Sequence, residues 1–104
     1  MWPKETSMKD WAYAQFQPSD QLARLHYFTM KKQHTRGEVV FTITVHEFVK
    51  PPDPQMEFFA QADKQTNQKT APYTPCGWGA TLLDALAECT KAVHRFPYEG
   101  PEAG

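Results

Sequence analysis

An amphipathic segment near the C-terminus constrains the fold of this chain more than any other feature. From Thr81 to Phe96, apolar residues recur at steps of four, three, four and three, the spacing of one face of an α-helix. Thr81 is a favourable N-cap, and Pro97 ends the pattern. The apolar positions are Leu82, Leu86, Cys89, Val93 and Phe96, with Ala85 and Ala92 beside them. We therefore expect a helix over residues 81–96 with one face packed on a core.

The clearest strand lies in the middle of the chain. From Glu38 to Val49, apolar and polar positions alternate, and β-branched and aromatic residues predominate. Gly37 supplies a turn, so the segment around Leu25 to Lys32 is expected to pair with this strand as a hairpin. The prolines of residues 50–54 interrupt pairing because they lack N–H donors, and alternation resumes from Met56 to Ala62.

These elements predict an α+β fold, in which a three- or four-stranded, mainly antiparallel sheet packs against the C-terminal helix. Residues 63–79 form a long polar connection, and a fourth short strand is expected near Tyr73. Residues 7–16 fit either a short N-terminal helix or an edge strand, and the sequence does not separate the two. We expect residues 1–99 to form a single domain and residues 100–104 to form a flexible tail.

Composition narrows the class of protein. Eleven Lys and Arg against twelve Asp and Glu give a net charge of −1, so no overall positive field attracts nucleic acid or an anionic membrane. No apolar run approaches the roughly 20 residues that cross a bilayer, and the first residues lack the apolar stretch of a signal peptide. The two cysteines are too few for a disulfide framework. We expect a cytoplasmic protein with reduced thiols.

The sheet face opposite the helix is the candidate binding surface. Its predicted residues are His46, Phe48, Phe59 and Gln61. If the helix covers the other face, these aromatic side chains stay exposed unless Trp11 and Phe16 cover them or a second subunit does, and the two interpretations have equal weight. We predict a non-catalytic interaction or regulatory module that self-associates through this face or a sheet edge. Its expected partner is a second copy or another protein, and no cofactor is expected.

A nucleic-acid-binding module is the alternative function. Its candidate residues are Lys31, Lys32, His34 and Arg36, a basic cluster near the first hairpin. Such a cluster attracts phosphate groups, although a solvated turn also explains it and is the favoured interpretation. Nucleic acid is therefore a partner that we consider without favouring it.

The cysteines and histidines give little sign of catalysis. Cys89 lies within the apolar stripe, where a cysteine packs as a small core residue. Cys76 lies among glycines just before the helix, and a helix N-terminus favours a thiolate, so a thiol-dependent activity at Cys76 is a second alternative. Gly77 to Gly79 could approach a phosphate, but a flexible loop with a packed Trp78 is the simpler interpretation. The histidines are scattered singly, and we predict neither a metal site nor catalytic residues.

The stretch from Pro75 to Leu86 resembles the HicB-type antitoxin domain, and the resemblance covers about residues 75–96. In that family a strand ends in a Pro-Gly-Cys-like turn, and a Gly-x-Thr-x-x-x-Ala-Leu run opens the helix. Matching positions are Gly79, Thr81, Ala85 and Leu86. The order of Cys and Gly is inverted here, and Leu82 and Leu83 replace the acidic pair. The resemblance implies a related fold and, by extension, an antitoxin-like module.

The order of elements is also similar to the double-stranded-RNA-binding domain, which runs helix, three strands, helix. That family has a basic cluster at the start of its last helix. Residues 81–84 of this chain are Thr-Leu-Leu-Asp instead, and an acidic residue there repels phosphate.

Overall fold

The computed structural model describes residues 10–17, 19, 22–34, 37–49 and 53–100. The predictions for residues 1–9 and for the end of the tail, 101–104, lie outside these ranges. The described residues form a four-stranded antiparallel sheet and a C-terminal helix, which confirms the α+β fold. The elements are β1 (Ala23–His34), β2 (Gly37–Phe48), β3 (Phe58–Ala62), β4 (Cys76–Gly79) and α1 (Leu82–Val93), with the strands in the order β1-β2-β3-β4.

A long hairpin forms one side of the sheet. β1 and β2 pair along their full length, from Ala23 opposite Phe48 to His34 opposite Gly37. Gly37 has a φ of +132°, a conformation that side chains rarely adopt, so a glycine is required where β2 begins. The predicted hairpin is confirmed, and its first strand is longer than expected.

The second half of the sheet departs from the sequence prediction. A single 3₁₀ turn occupies Pro54–Met56, where Asp53 accepts a hydrogen bond from the Gln55 amide at 2.8 Å, so β3 begins at Phe58 rather than at Met56. The fourth strand, expected near Tyr73, is β4 further along the chain. Tyr73 makes only an isolated bridge with Thr66. Near the N-terminus, Asp10–Ala14 form a short 3₁₀ helix.

Helix α1 is held at both ends. The Thr81 hydroxyl accepts a hydrogen bond from the Asp84 amide at 3.1 Å, which confirms the predicted N-cap. The helix ends at Val93, earlier than the predicted Phe96, and the chain then turns. Lys32 of β1 donates hydrogen bonds from Nζ to the carbonyls of Val93 (2.8 Å) and Phe96 (2.6 Å). A cation is thus bound where the helix dipole is negative.

The core lies between α1 and the face of the sheet formed by alternate β2 residues. Its buried residues are Val39, Phe41, Ile43, Val45, Ala60, Ala62, Ala85, Cys89, Val93 and Tyr98. On the helix the fully buried positions are mainly small, whereas Leu82 and Leu86 lie at the margin. The predicted stripe is correct, but its centre is shifted toward Ala85 and Cys89.

Two glycines of β4 explain this shift. A Cβ atom at Gly77 would lie 2.8 Å from both the Ala85 carbonyl oxygen and the Cys89 amide nitrogen. At Gly79 it would lie 2.6 Å from the Ala85 amide nitrogen. These distances are shorter than any real Cβ contact, so the helix backbone packs directly on the strand backbone, and only small helix residues fit between them.

The C-terminal segment after the helix is also part of the packed structure. The Tyr98 ring is buried and meets the Phe41 ring edge-on, with centroids 6.0 Å apart. The Glu99 amide donates to the Gln68 side chain (2.8 Å), and the Glu99 carboxylate accepts from the Lys69 amide (3.0 Å). Residues 97–99 therefore hold the long connection between β3 and β4 in place through hydrogen bonds.

We predict that Gly77→Ala destabilises the protein by about 3 kcal/mol, because backbone atoms of helix α1 occupy the space that the methyl group needs. Urea unfolding monitored by circular dichroism measures the change. Leu83→Ala, on the exposed side of the same helix, is the control and should change stability far less. Equal stability of Gly77→Ala and the unsubstituted protein would contradict the close contact.

Candidate functional site

The candidate site is the sheet face turned away from α1, here called the open face. Side chains alternate between the two faces of a strand, and the odd-numbered residues of β2 are the buried ones. The paired register then assigns the other strands. The open face consists of Ala23, Leu25, Tyr27, Thr29, Lys31 and Gln33 of β1, Glu38, Val40, Thr42, Thr44, His46 and Phe48 of β2, Phe59 and Gln61 of β3, and Cys76 and Trp78 of β4.

Four rings at one end of this face form a continuous aromatic cluster, defined as His46, Phe48, Phe59 and Trp78. The closest pair is Phe59 and Trp78, with centroids 4.5 Å apart. The other neighbouring pairs, His46 with Phe48, His46 with Phe59 and Phe48 with Trp78, each have centroids 6.1 Å apart. All four distances lie in the range of favourable aromatic contacts. The cluster spans three strands, so the sheet fixes its shape.

The structure brings together three of the four residues predicted for this face. His46, Phe48 and Phe59 join the aromatic cluster, whereas Gln61 lies one step further along β3, opposite Thr44. Trp78 was missed, since its flanking glycines suggested a loop. The alternation of Gly77, Trp78 and Gly79 is the signal that could have identified it, because it places both glycines toward the helix and the indole on the other face.

Part of the open face is accessible. Trp78 is 39% exposed, Leu25 is 42% exposed and Tyr27 is 65% exposed. Phe16, which was considered as a cover for this face, is itself 88% exposed and does not pack there, and Trp11 is half-buried. Large apolar side chains accessible on one sheet face are typical of an interaction surface.

The predicted basic cluster does not form one patch in the described structure. Lys31 lies on the open face, whereas Lys32 lies on the helix side and binds the end of α1. Burial lowers the pKa of Lys32. His34 ends β1, and Arg36 lies outside the described residues. The two adjacent lysines therefore have different surroundings and cannot act on the same ligand surface.

We predict that Lys32→Met destabilises the protein by about 1 kcal/mol, because the helix end loses a charged donor. The effect is modest because the Lys32 side chain is partly exposed to solvent. Lys31→Met is the matched control and should leave the unfolding midpoint unchanged. Thermal or urea unfolding of both variants makes the comparison. Equal effects of the two substitutions would argue against the helix-capping role of Lys32.

The two thiols are in contrasting environments. Cys89 is fully buried, and its Sγ lies 3.6 Å from the Pro75 carbonyl oxygen. Burial, together with the nearby Cys76, raises the pKa of Cys89 to about 11, as expected for an inert core cysteine. Cys76 is half-buried and lies in β4 on the open face, not in a loop before the helix as the sequence suggested. His46 shares that face but is separated from Cys76 by strand β3.

We predict that one thiol per chain reacts with a colorimetric disulfide reagent at pH 8 in the folded protein, and that both react after unfolding. The reactive group is Cys76, because Cys89 is shielded and stays protonated well below pH 11. Cys76→Ser should abolish the reaction of the folded protein. A comparably fast reaction in that variant would show that Cys89 is accessible.

A second pair of titratable groups lies on the helix side of the sheet. His26 Nε2 is 2.9 Å from Glu47 Oε1, and the Glu47 residue is only 6% exposed. This pair and Cys76 are on opposite faces of the sheet, so they do not combine into a nucleophile and its base. Among the described residues, no three His, Cys, Asp or Glu side chains come together as a metal site would require.

Comparison of the chain with protein-family models, with curated proteins and with solved structures returns no match. The resemblances to the HicB-type antitoxin and to the double-stranded-RNA-binding domain remain predictions from the sequence. No helix within the described ranges is both long enough and apolar enough to cross a bilayer.

Proposed function

We propose that the protein is a non-catalytic interaction module that self-associates by packing its open face against the same face of a second copy. The observation that supports this proposal is the aromatic cluster of His46, Phe48, Phe59 and Trp78 on the face opposite the helix. Two antiparallel sheets pack well face to face at about 10 Å, with interdigitated apolar side chains. A dimer would bury the exposed part of Trp78, Leu25 and Tyr27.

The charge of the open face fits a second copy. In a two-fold dimer, residues close to the axis meet their own counterparts, so a fixed charge there would be repelled. The aromatic cluster contains no Lys, Arg, Asp or Glu. The charged residues of this face within the strands, Lys31 and Glu38, lie toward the end of the hairpin where β1 ends and β2 begins, and they have opposite signs. Association through the cluster end therefore buries aromatic rings without burying a Lys, Arg, Asp or Glu side chain of this face.

The size of the face predicts a dimer that dissociates readily. With strands about 4.8 Å apart and about 3.3 Å per residue, the four strands give a footprint of roughly 500 Å². Stable specific interfaces bury on the order of 800 Å² on each partner. An interface of this size belongs to the weak, transient class, so we expect association in the micromolar range or weaker.

We predict a concentration-dependent shift from monomer to dimer in sedimentation equilibrium between about 5 and about 500 μM protein. Trp78→Glu should abolish this shift, because it places an unpaired carboxylate in the apolar interface. Leu83→Glu, which adds the same charge to an exposed leucine on the helix, should dimerise normally.

Circular dichroism checks that each variant is folded, and Tyr27→Glu provides a second open-face variant at a more exposed position. A monomer throughout the concentration range, or equal loss of dimer in Leu83→Glu and both open-face variants, would refute the proposal.

A nucleic-acid-binding role is the second candidate, because stacked rings on a sheet face also bind the bases of single strands. Binding of this kind needs cations along the backbone path. Of the four basic residues predicted for it, only Lys31 has its side chain assigned to the open face. The described residues therefore favour a protein partner.

A further inference from the structure

The outer edge of β1 is a second surface with the geometry of a binding site. The strand order places β1 at the edge of the sheet, and among the described residues it pairs only with β2. The strand is 12 residues long, whereas the opposite edge strand β4 has four. An edge strand presents unpaired N–H and C=O groups, to which another extended chain can add.

β1 carries only positive charges. Its charged residues are Arg24, Lys31 and Lys32, and it contains no Asp or Glu. Lys32 is bound to the end of α1, so Arg24 and Lys31 are the cations available to a partner, and both are exposed. They lie near opposite ends of the strand and on opposite faces.

These charges disfavour a second copy at this edge. Antiparallel two-fold pairing of β1 with β1 about Phe28 would place Arg24 opposite Lys32. Residues opposite each other in such a pair lie on the same face, and Arg24 and Lys32 are both on the helix side of the sheet. Like charges directly opposite one another destabilise a strand pair. The sequence was compatible with self-association either through a sheet edge or through the open face. The like charges on β1 make the edge the less favourable of the two.

We propose that the outer edge of β1 binds an acidic, extended segment of another protein as an added antiparallel strand. In an added strand, each residue of the ligand lies directly opposite one residue of β1. One acidic side chain of the ligand therefore faces Lys31, and a second, seven residues further along the ligand, faces Arg24. Between them, apolar side chains of the ligand face Leu25 and Tyr27, which are 42% and 65% exposed. This inference uses the edge and does not depend on dimerisation through the open face.

The test uses a fluorescein-labelled, end-capped peptide, Glu-Val-Thr-Val-Val-Thr-Val-Glu, whose register matches these positions. Fluorescence anisotropy is measured with the full chain carrying Trp78→Glu, a variant in which the proposed dimer does not form. Peptide binding then reports on the edge of β1 alone, whether or not the unsubstituted protein dimerises. We expect saturable binding, with slower amide hydrogen exchange in β1. Each of Arg24→Gln and Lys31→Gln should weaken binding about threefold, and the double variant about tenfold, as expected for exposed ion pairs.

Two peptide controls separate strand addition from simple charge attraction. The same peptide with alternate N-methylated amides keeps its charge but lacks donors for the ladder, and a version with Lys in place of Glu keeps the backbone but reverses the charge. Neither should bind. Lys69→Gln, which removes a cation elsewhere on the surface, should leave binding unchanged.

The proposal is overturned if the N-methylated or Lys-containing peptide binds as well as the probe, if Lys69→Gln weakens binding as much as the β1 variants, or if the probe does not bind at millimolar concentration. A uridine dodecamer is tested in parallel. Tighter binding of that RNA, lost with the same β1 substitutions, would assign the edge to nucleic acid and also overturn the proposal.

Discussion

The contact of helix α1 with the backbone of β4 determines the rest of the arrangement. Because Gly77 and Gly79 have no side chains, the helix lies close to the sheet at this end and buries small residues such as Ala85 and Cys89. The helix contacts β2, β3 and β4 far more than it approaches β1. The same glycine alternation turns Trp78 to the other face, so one short strand contributes both to the tightest contact with the helix and to the closest ring pair of the aromatic cluster.

The sequence predicted those features that depend on local periodicity. Alternation identified β2, the apolar stripe identified α1, and Thr81 identified the start of the helix. The same alternation placed His46, Phe48 and Phe59 on one face, and the structure brings them into one cluster.

Features that depend on distant contacts were not predictable in this way. Gly77 to Gly79 resembled a loop because glycine disfavours strands, and only the packing of the helix makes an extended backbone favourable there. The bond from Lys32 to Val93 joins residues 61 positions apart. Nothing in the local sequence distinguishes Lys32 from Lys31 except the alternation of the strand, which assigns the two lysines to opposite faces.

The attachment of Tyr98 and Glu99 to the body of the protein affects where the folding unit ends. A chain truncated immediately after the last helical turn would lose the ring that packs on Phe41 and both hydrogen bonds that join Glu99 to residues 68 and 69. Water would then reach the aromatic side of the core next to β2. A shortened version of this protein therefore has to retain residues through Glu99. An affinity tag fused directly after Val93 would take the place of the segment that carries the buried Tyr98 ring.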